Sequence, residues 1–228
     1  MSAPWAILPV KTLAEAKQRL AGVLPQAARS RLMLVMLREV LATLDQVEQL
    51  GAILVVTPDA QVAEIAESSG ALVLREERAR GHTVAATAGL DYARARGAEV
   101  AFTVPADAPC TTAEEIALLI AAAEGGPRPR AVLVPARDGD GTNAVLTAPV
   151  GVLPLSFGSG SFARHRAAAE AVRLDCRTVE LPGLAMDIDE PRDLRDLMER
   201  KRGDPRYAFL WNDEGGARLD LTADTDQA

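Results

Sequence analysis

Short apolar runs alternate with stretches of helical period from the first residues onward. Trp5–Pro9 reads as a strand and residues 14–20 as a short helix. Leu32, Val35, Met36, Val40 and Leu44 recur at three-to-four spacing, which predicts an amphipathic helix over residues 28–47. Ala52–Thr57 is almost purely apolar and closes on Pro58 and Asp59, as a strand covered on both faces does. A helix over 61–69 stops at Gly70, before a strand over 71–74. A helix over 83–96 ends at Gly97 and leads to a strand over 100–104. Thr112 is placed to cap a helix over 113–124, and a strand over 131–135 follows. Strand, helix and strand in this order imply right-handed crossovers and a mostly parallel sheet, so the fold class is α/β.

The second half changes character. Residues 143–146 and 177–181 are short strand candidates, separated by a Gly/Ser turn and a helix over 162–173. That order suits an antiparallel edge or subsheet added to the parallel core. A helix over 192–201 follows Glu190 and Pro191, where proline suits the first helical position. Residues 1–203 read as a single domain and 204–228 as a tail whose end is expected to be poorly ordered. Tyr207, Phe209 and Trp211, three of eight aromatics, form an arm expected to pack on its own subunit or on a second copy in a homodimer.

Composition narrows the function classes. At 228 residues and 48% hydrophobic, the chain can bury a large core, and with 4% aromatics that core is aliphatic. No apolar run approaches the ~18 residues of a membrane span, and the start lacks a signal peptide's pattern, so a cytoplasmic protein without a membrane partner is expected. Cys110 and Cys176 form no metal-spaced or redox pair and read as free, partly buried thiols. A net charge of −7 argues against a nucleic-acid partner. It leaves room for a nucleotide substrate, which backbone N–H groups, a metal ion and a few local cations can hold.

Ligands of open parallel sheets bind beyond the carboxyl ends of the strands, and five segments fall there. Leu8, Pro9, Val10 and Lys11 run on through Lys17 and Arg19, so this loop can cover the phosphates of a nucleotide. Residue types alone favour the plainer reading, an ordinary helix start. Asp107 follows a buried strand between Pro105 and Pro109, well placed to hold a cation. Asp187 and Asp189 point to one side of an extended segment while Ile188 points into the core. Two such carboxylates repel, and a divalent cation removes that cost; magnesium suits one to three carboxylates with water and phosphate oxygens. The plainer reading is a turn of solvated acids. Residues 138–143, with Thr142, and residues 157–162, with Gly158 and Ser161, are glycine turns whose N–H groups could converge on an anion. His165 lies one helical turn beyond Ser161 on the same face. Each turn, taken singly, favours the reading as a plain turn. No G-x-S-x-G, phosphate-loop lysine or G-x-G-x-x-G motif is present.

Together these segments resemble the 2-phospho-L-lactate guanylyltransferase family of coenzyme F-420 biosynthesis, over about residues 5–198. The resemblance rests on P-V-K with A-K-x-R-L, P-A-D-x-P and D-G-x-G-T-N, and most strongly on F-G-x-G-S-F-x-x-H and P-G-L-x-x-D-I-D-x-P-x-D-L. It implies a nucleotide-diphospho-sugar transferase type of fold, with Mg2+ bound by Asp107, Asp187 and Asp189. It further implies that Thr142, Gly158 and Ser161 hold a small phosphorylated acid and that residues 8–17, with Lys11 and Lys17, cover GTP. The acid would be 2-phospho-L-lactate, phosphoenolpyruvate or 3-phospho-D-glycerate, joined to GMP with release of diphosphate. His165 then orients and needs no proton-transfer role, because the attacking phosphate is already ionised. Gly81, His82 and Thr83 stand where relatives carry Gly-Leu-Asn, and Ala108 where they carry leucine. The first departure falls at expected base or ribose contacts, so His82 either replaces a contact or caps the next helix. Another nucleotidyl- or sugar transferase of this fold, or a nucleotide-binding protein without catalysis, remains open on residue types alone.

Overall fold

A computed structural model describes residues 2–125 and 129–211. Seven strands form one sheet: β1 (Trp5–Pro9), β2 (Ala52–Thr57), β3 (Leu72–Arg75), β4 (Ala101–Thr103), β5 (Arg130–Pro135), β6 (Thr142–Ala148) and β7 (Asp175–Thr178). Their spatial order is β3-β2-β1-β4-β6-β5-β7. β1 pairs in parallel with β2 and β4, β2 with β3, and β5 with β7, whereas β6 is antiparallel to both neighbours. The antiparallel part is therefore one interior strand, not an edge, and the edge strand β7 begins at Asp175, two residues before its expected start. The cause is the short β5–β6 hairpin connection, which reverses the chain without a crossover helix.

Side-chain alternation divides the helices between the faces. Ala6 and Leu8 of β1 and Phe102 of β4 join the larger core with α1 (Gln26–Asp45), α2 (Ala60–Ser68), α4 (Ala113–Ala122) and α6 (Pro191–Arg200). Ile7, Leu54 and Val56 face α3 (His82–Ala95), and Leu133 and Val145 face α5 (Ser161–Ala171). Thr112 caps α4 in a reciprocal box with Glu115, and Pro191 opens α6 as expected.

The expected helix over 14–20 is two short 3-10 turns, Leu13–Glu15 and Gln18–Leu20. Between them Lys17 sits in the left-handed region at φ 52°, ψ 44°, a conformation costly for a side chain with a Cβ. No helix among the described residues is long and apolar enough to cross a membrane. Tyr207 and Phe209 are buried against this chain's own core, with Arg31 stacked 4.5 Å from the Phe209 ring centre. Residues 212–228, where a poorly ordered end is expected, lie outside the described residues.

Candidate active site

The carboxyl ends of β1, β2, β3 and β4 share one edge of the sheet, and β6, running the other way, starts on that edge. A cavity of about 1040 Å3 opens there. Pro9, Val10, Lys11, Lys17, Asp107, Asp187 and Asp189 line it, and so do Thr142, Gly158 and Ser161. Leu8 does not: it is wholly buried in the core, and the residues after it carry the loop into the cavity.

Local structure explains how distant carboxylates meet. Val104 N–H donates to Ile7 O (2.9 Å), which carries the chain past β4 to Asp107. Ile188 N–H donates to Asp107 O (3.0 Å), which ties the two acidic segments together and sends Ile188 into the core. Upstream, Glu115 accepts from the N–H groups of Gly183 (2.7 Å) and Leu184 (3.1 Å). A Cβ on Gly183 would collide with the Cys110 carbonyl and the Glu115 carboxylate, so glycine is required at this close approach.

Lys17 is only 6% exposed, and its Nζ lies between Asp107 and Asp189, 2.8 Å from Asp189 Oδ1. Burial pushes its ammonium pKa down, but the Asp107 and Asp189 charges outweigh that and raise it, so Lys17 stays charged. Burial likewise works upward on Asp189, and the Lys17 charge overcomes it to hold the carboxyl below its usual value. Asp187 lacks such a partner. Burial first, then the charge of Asp107, raises its pKa to about 6, although Asn143 Nδ2 donates to its Oδ1 at 3.1 Å. Asn143 was quoted within a motif above but given no role; its second bond, to Leu184 O (2.9 Å), makes it the brace of this segment.

No three acidic, histidine or cysteine side chains among the described residues stand together as a metal-holding group. Two carboxylates suffice for magnesium, which completes its shell with water and phosphate oxygens. The hard oxygens of Asp107, Asp187 and Asp189 suit it; Lys17 already pairs with Asp107 and Asp189, and Asp187 is held by Asn143.

On the other wall, the backbone donors expected to cradle an anion are taken. Gly160 N–H donates to Asp140 Oδ2 (2.7 Å), Ser161 N–H to Gly158 O (3.0 Å) and Phe162 N–H to Asp140 O (3.1 Å). Asp140, unassigned from sequence, thus locks the two glycine turns together, and positive φ at Gly158 (106°) and Gly160 (68°) permits the tight path. Thr142 and Ser161 line the cavity, and the Ser161 hydroxyl donates to Thr142 Oγ1 (3.3 Å). His165 is wholly buried and does not line it. Ser156 N–H donates to His165 Nε2 (2.8 Å), so the ring proton sits on Nδ1 and faces Thr142 Oγ1 at 3.0 Å. Burial, then Arg164, lowers the His165 pKa to about 4, which keeps the ring neutral.

His82 is the first residue of α3, and the N-cap is Gly81, so His82 does not cap the helix. Its ring meets Phe157 edge-on with centroids 4.7 Å apart, at the cavity wall. Thr83 Oγ1 accepts from Phe157 N–H (3.0 Å) and lines a smaller adjoining pocket.

Comparison with known proteins identifies the family and the fold. Residues 5–213 match the family described as guanylyl transferase, CofC-like. The phosphoenolpyruvate guanylyltransferase of Sphaerobacter thermophilus is 40% identical over 192 residues, covering 84% of this chain and 91% of that protein. A protein of Desulfovibrio desulfuricans G20 described as a nucleotide-diphospho-sugar transferase superposes with a TM-score of 0.71 at 15% identity, covering 90% of each chain. Glucosyl-3-phosphoglycerate synthase of Mycobacterium tuberculosis, solved with Mn2+ and uridine diphosphate, gives 0.59 at 13% identity, over 87% of this chain and 76% of that one. The sheet is thus of the nucleotide-diphospho-sugar transferase type, and the chain belongs to the CofC-like family of guanylyl transferases, enzymes that move a nucleotidyl group.

Proposed function

We propose that this chain transfers GMP from GTP to phosphoenolpyruvate, releasing diphosphate, as a cytoplasmic step in coenzyme F-420 biosynthesis. The observation that carries the proposal is one cavity lined by Lys17 and three aspartates together with Thr142 and Ser161. The phosphoenolpyruvate relative supports the choice of acid.

A phosphate oxygen of the acid attacks the α-phosphorus of GTP, forming a new P–O bond. The bond to the β-phosphate breaks, and its electron pair leaves with diphosphate. No general base is needed, because the attacking phosphate is ionised at neutral pH. The barrier lies in bringing two polyanions together, so positioning and charge neutralisation carry the reaction. Lys17 contributes a fixed positive charge at the floor, and Lys11 a second one at the rim. Thr142 donates to the acceptor phosphate, and the Ser161 hydroxyl, which donates to Thr142 Oγ1, holds it in place beside the Gly158 turn. Asp107, Asp187 and Asp189 would hold magnesium, which when bound would supply positive charge to offset that on the leaving diphosphate.

The test is diphosphate release with Mg2+, offering each of the four common nucleoside triphosphates against phosphoenolpyruvate, 2-phospho-L-lactate and 3-phospho-D-glycerate. Release with GTP and phosphoenolpyruvate is expected. Release with another acid would move the assignment within the family, and release only with another triphosphate would overturn it. Asp187→Ala or Asp189→Ala is expected to lower kcat at least a thousandfold with the fold intact, on the scale of a lost electrostatic contact in a transition state. Near-normal turnover in either variant would remove that carboxylate from the metal set.

A further inference from the structure

Glu76 follows β3 immediately and is held there by its own N–H, which donates to Thr57 O at 3.0 Å. Its side chain is 5% exposed, lines the main cavity, and has an oxygen, Oε1, without a hydrogen-bond donor. The only cation placed against that oxygen among the described ion pairs is Arg80, whose Nε stands 3.8 Å away, beyond hydrogen-bond length, on a largely exposed side chain. A buried acceptor left unpaired costs on the order of 1–3 kcal/mol, more when charged, so its persistence in a cavity wall points to a ligand donor.

Position and chemistry identify that donor. β3 lies two strands from β1, whose loop carries Lys11 and Lys17, so Glu76 stands about 10 Å to the side of the phosphate-binding floor. That is the reach of a nucleoside from its phosphates to the far edge of its base. The wall beside Glu76 continues through Ala79, Arg80, Gly81, His82 and Ala85, small or planar groups along which a flat ring can lie. Among the common bases, guanine alone presents two adjacent donors, N1–H and the exocyclic N2 amine, matching the two oxygens of one carboxylate. Adenine and cytosine place an acceptor beside their amine, and uracil flanks its single N–H with carbonyls. We propose that Glu76 is the guanine-reading residue of this enzyme, accepting from N1–H and N2–H of the triphosphate. The inference rests on the guanylyl-transfer reading and gives it a residue; it also shows why the change to His82 need not remove guanine selectivity.

The experiment compares kcat/KM for GTP, inosine triphosphate (guanine without its exocyclic amine) and 2′-deoxyguanosine triphosphate, in the unaltered chain, Glu76→Ala and the isosteric Glu76→Gln. Thermal melting confirms that each variant is folded, and equilibrium binding of the same three nucleotides gives a readout independent of turnover. The unaltered chain is expected to prefer GTP over inosine triphosphate on the order of 10- to 100-fold, the range for a hydrogen bond to a charged group. In both variants that preference should shrink to within about threefold, while any preference over the deoxy nucleotide is unchanged. An undiminished preference for GTP over inosine triphosphate in folded variants would overturn the inference and leave guanylyl transfer standing. Loss of the ribo-over-deoxy preference instead would overturn it in favour of a ribose contact. An unaltered chain that neither binds nor turns over GTP would overturn the guanylyl reading itself, and the inference with it.

Discussion

A threonine hydroxyl has one proton and two lone pairs, and the surroundings of Thr142 decide how they are used. His165 Nδ1–H and the Ser161 hydroxyl (3.3 Å) both point at Thr142 Oγ1, which leaves the Thr142 proton to face the cavity. On the proposed reading His165, buried behind Thr142, would act through that hydroxyl. His165→Gln should raise the KM for the acid about five- to tenfold, the scale of one neutral hydrogen bond, while the KM for GTP stays put. Equal shifts in both constants would mean that the histidine only supports the fold. The same residue has a consequence for pH. The folded chain keeps His165 neutral down to about pH 4, whereas the unfolded chain protonates it near pH 6.5. Between those values the unfolded state binds more protons, so stability falls as pH drops through that window. Melting temperature followed from pH 7 to pH 4 should decline in the native chain and decline less in His165→Gln. Sequence spacing was enough to place His165 near Ser161, but not to bury it, because burial depends on β6 and the 156–160 turn closing over it.

Among the elements, α3 carries a prediction whose sign runs against helix propensity. Gly89 lies mid-helix, where alanine is ordinarily better by about 1 kcal/mol. A Cβ there would collide with Ile7 Cγ2 and come within 3.0 Å of Val56 Cγ2, both in the sheet. Gly89→Ala should therefore destabilise by about 1–3 kcal/mol, as overpacking does, and shift the α3 start at His82 away from the site. A rise in denaturation midpoint would show that α3 can lift without cost. The helices and the parallel strands were legible because their apolar periods are long and their ends are marked by Thr112, Pro191, Gly70 and Gly97. Three features were not. Lys17's left-handed backbone turns an apparent helix into two short turns, and no local residue preference announces it. The interior place of β6 follows from pairing with β4 across the sheet, a contact between residues over forty positions apart. The donors at the start of α5 looked free because Asp140, which takes the Gly160 and Phe162 N–H groups, comes from another turn.

Across the whole molecule, residues 201–207 are fastened to the first long helix. Glu39 of α1 is buried and accepts from the Tyr207 hydroxyl, with Lys201 Nζ at 3.2 Å and Arg206 at 2.7 Å balancing its charge. Burial, and then Glu39, pushes the Tyr207 phenol above its usual range, so it stays protonated as the donor. Tyr207→Ala should cost about 3–5 kcal/mol in unfolding free energy, since it empties an aromatic site and strips a buried carboxylate of a partner; a loss below 1 kcal/mol in urea titration would mean the arm is only draped on the surface. The aromatic cluster was visible in the sequence as an arm, and the packing of Tyr207 and Phe209 on this chain's core required the position of Glu39. The same scale explains how a chain of net charge −7 can serve two polyanions: Lys11, Lys17, Arg19 and Arg80 all line one cavity at one edge of the sheet. The most direct test of that account is to supply GTP labelled at its α-phosphate together with phosphoenolpyruvate and Mg2+, and to find where the label goes. Label in a diphosphate-linked conjugate of GMP and the acid, with unlabelled diphosphate released in equal amount, is the predicted result. Label confined to GTP, GDP or free GMP while the acid remains unmodified would contradict it.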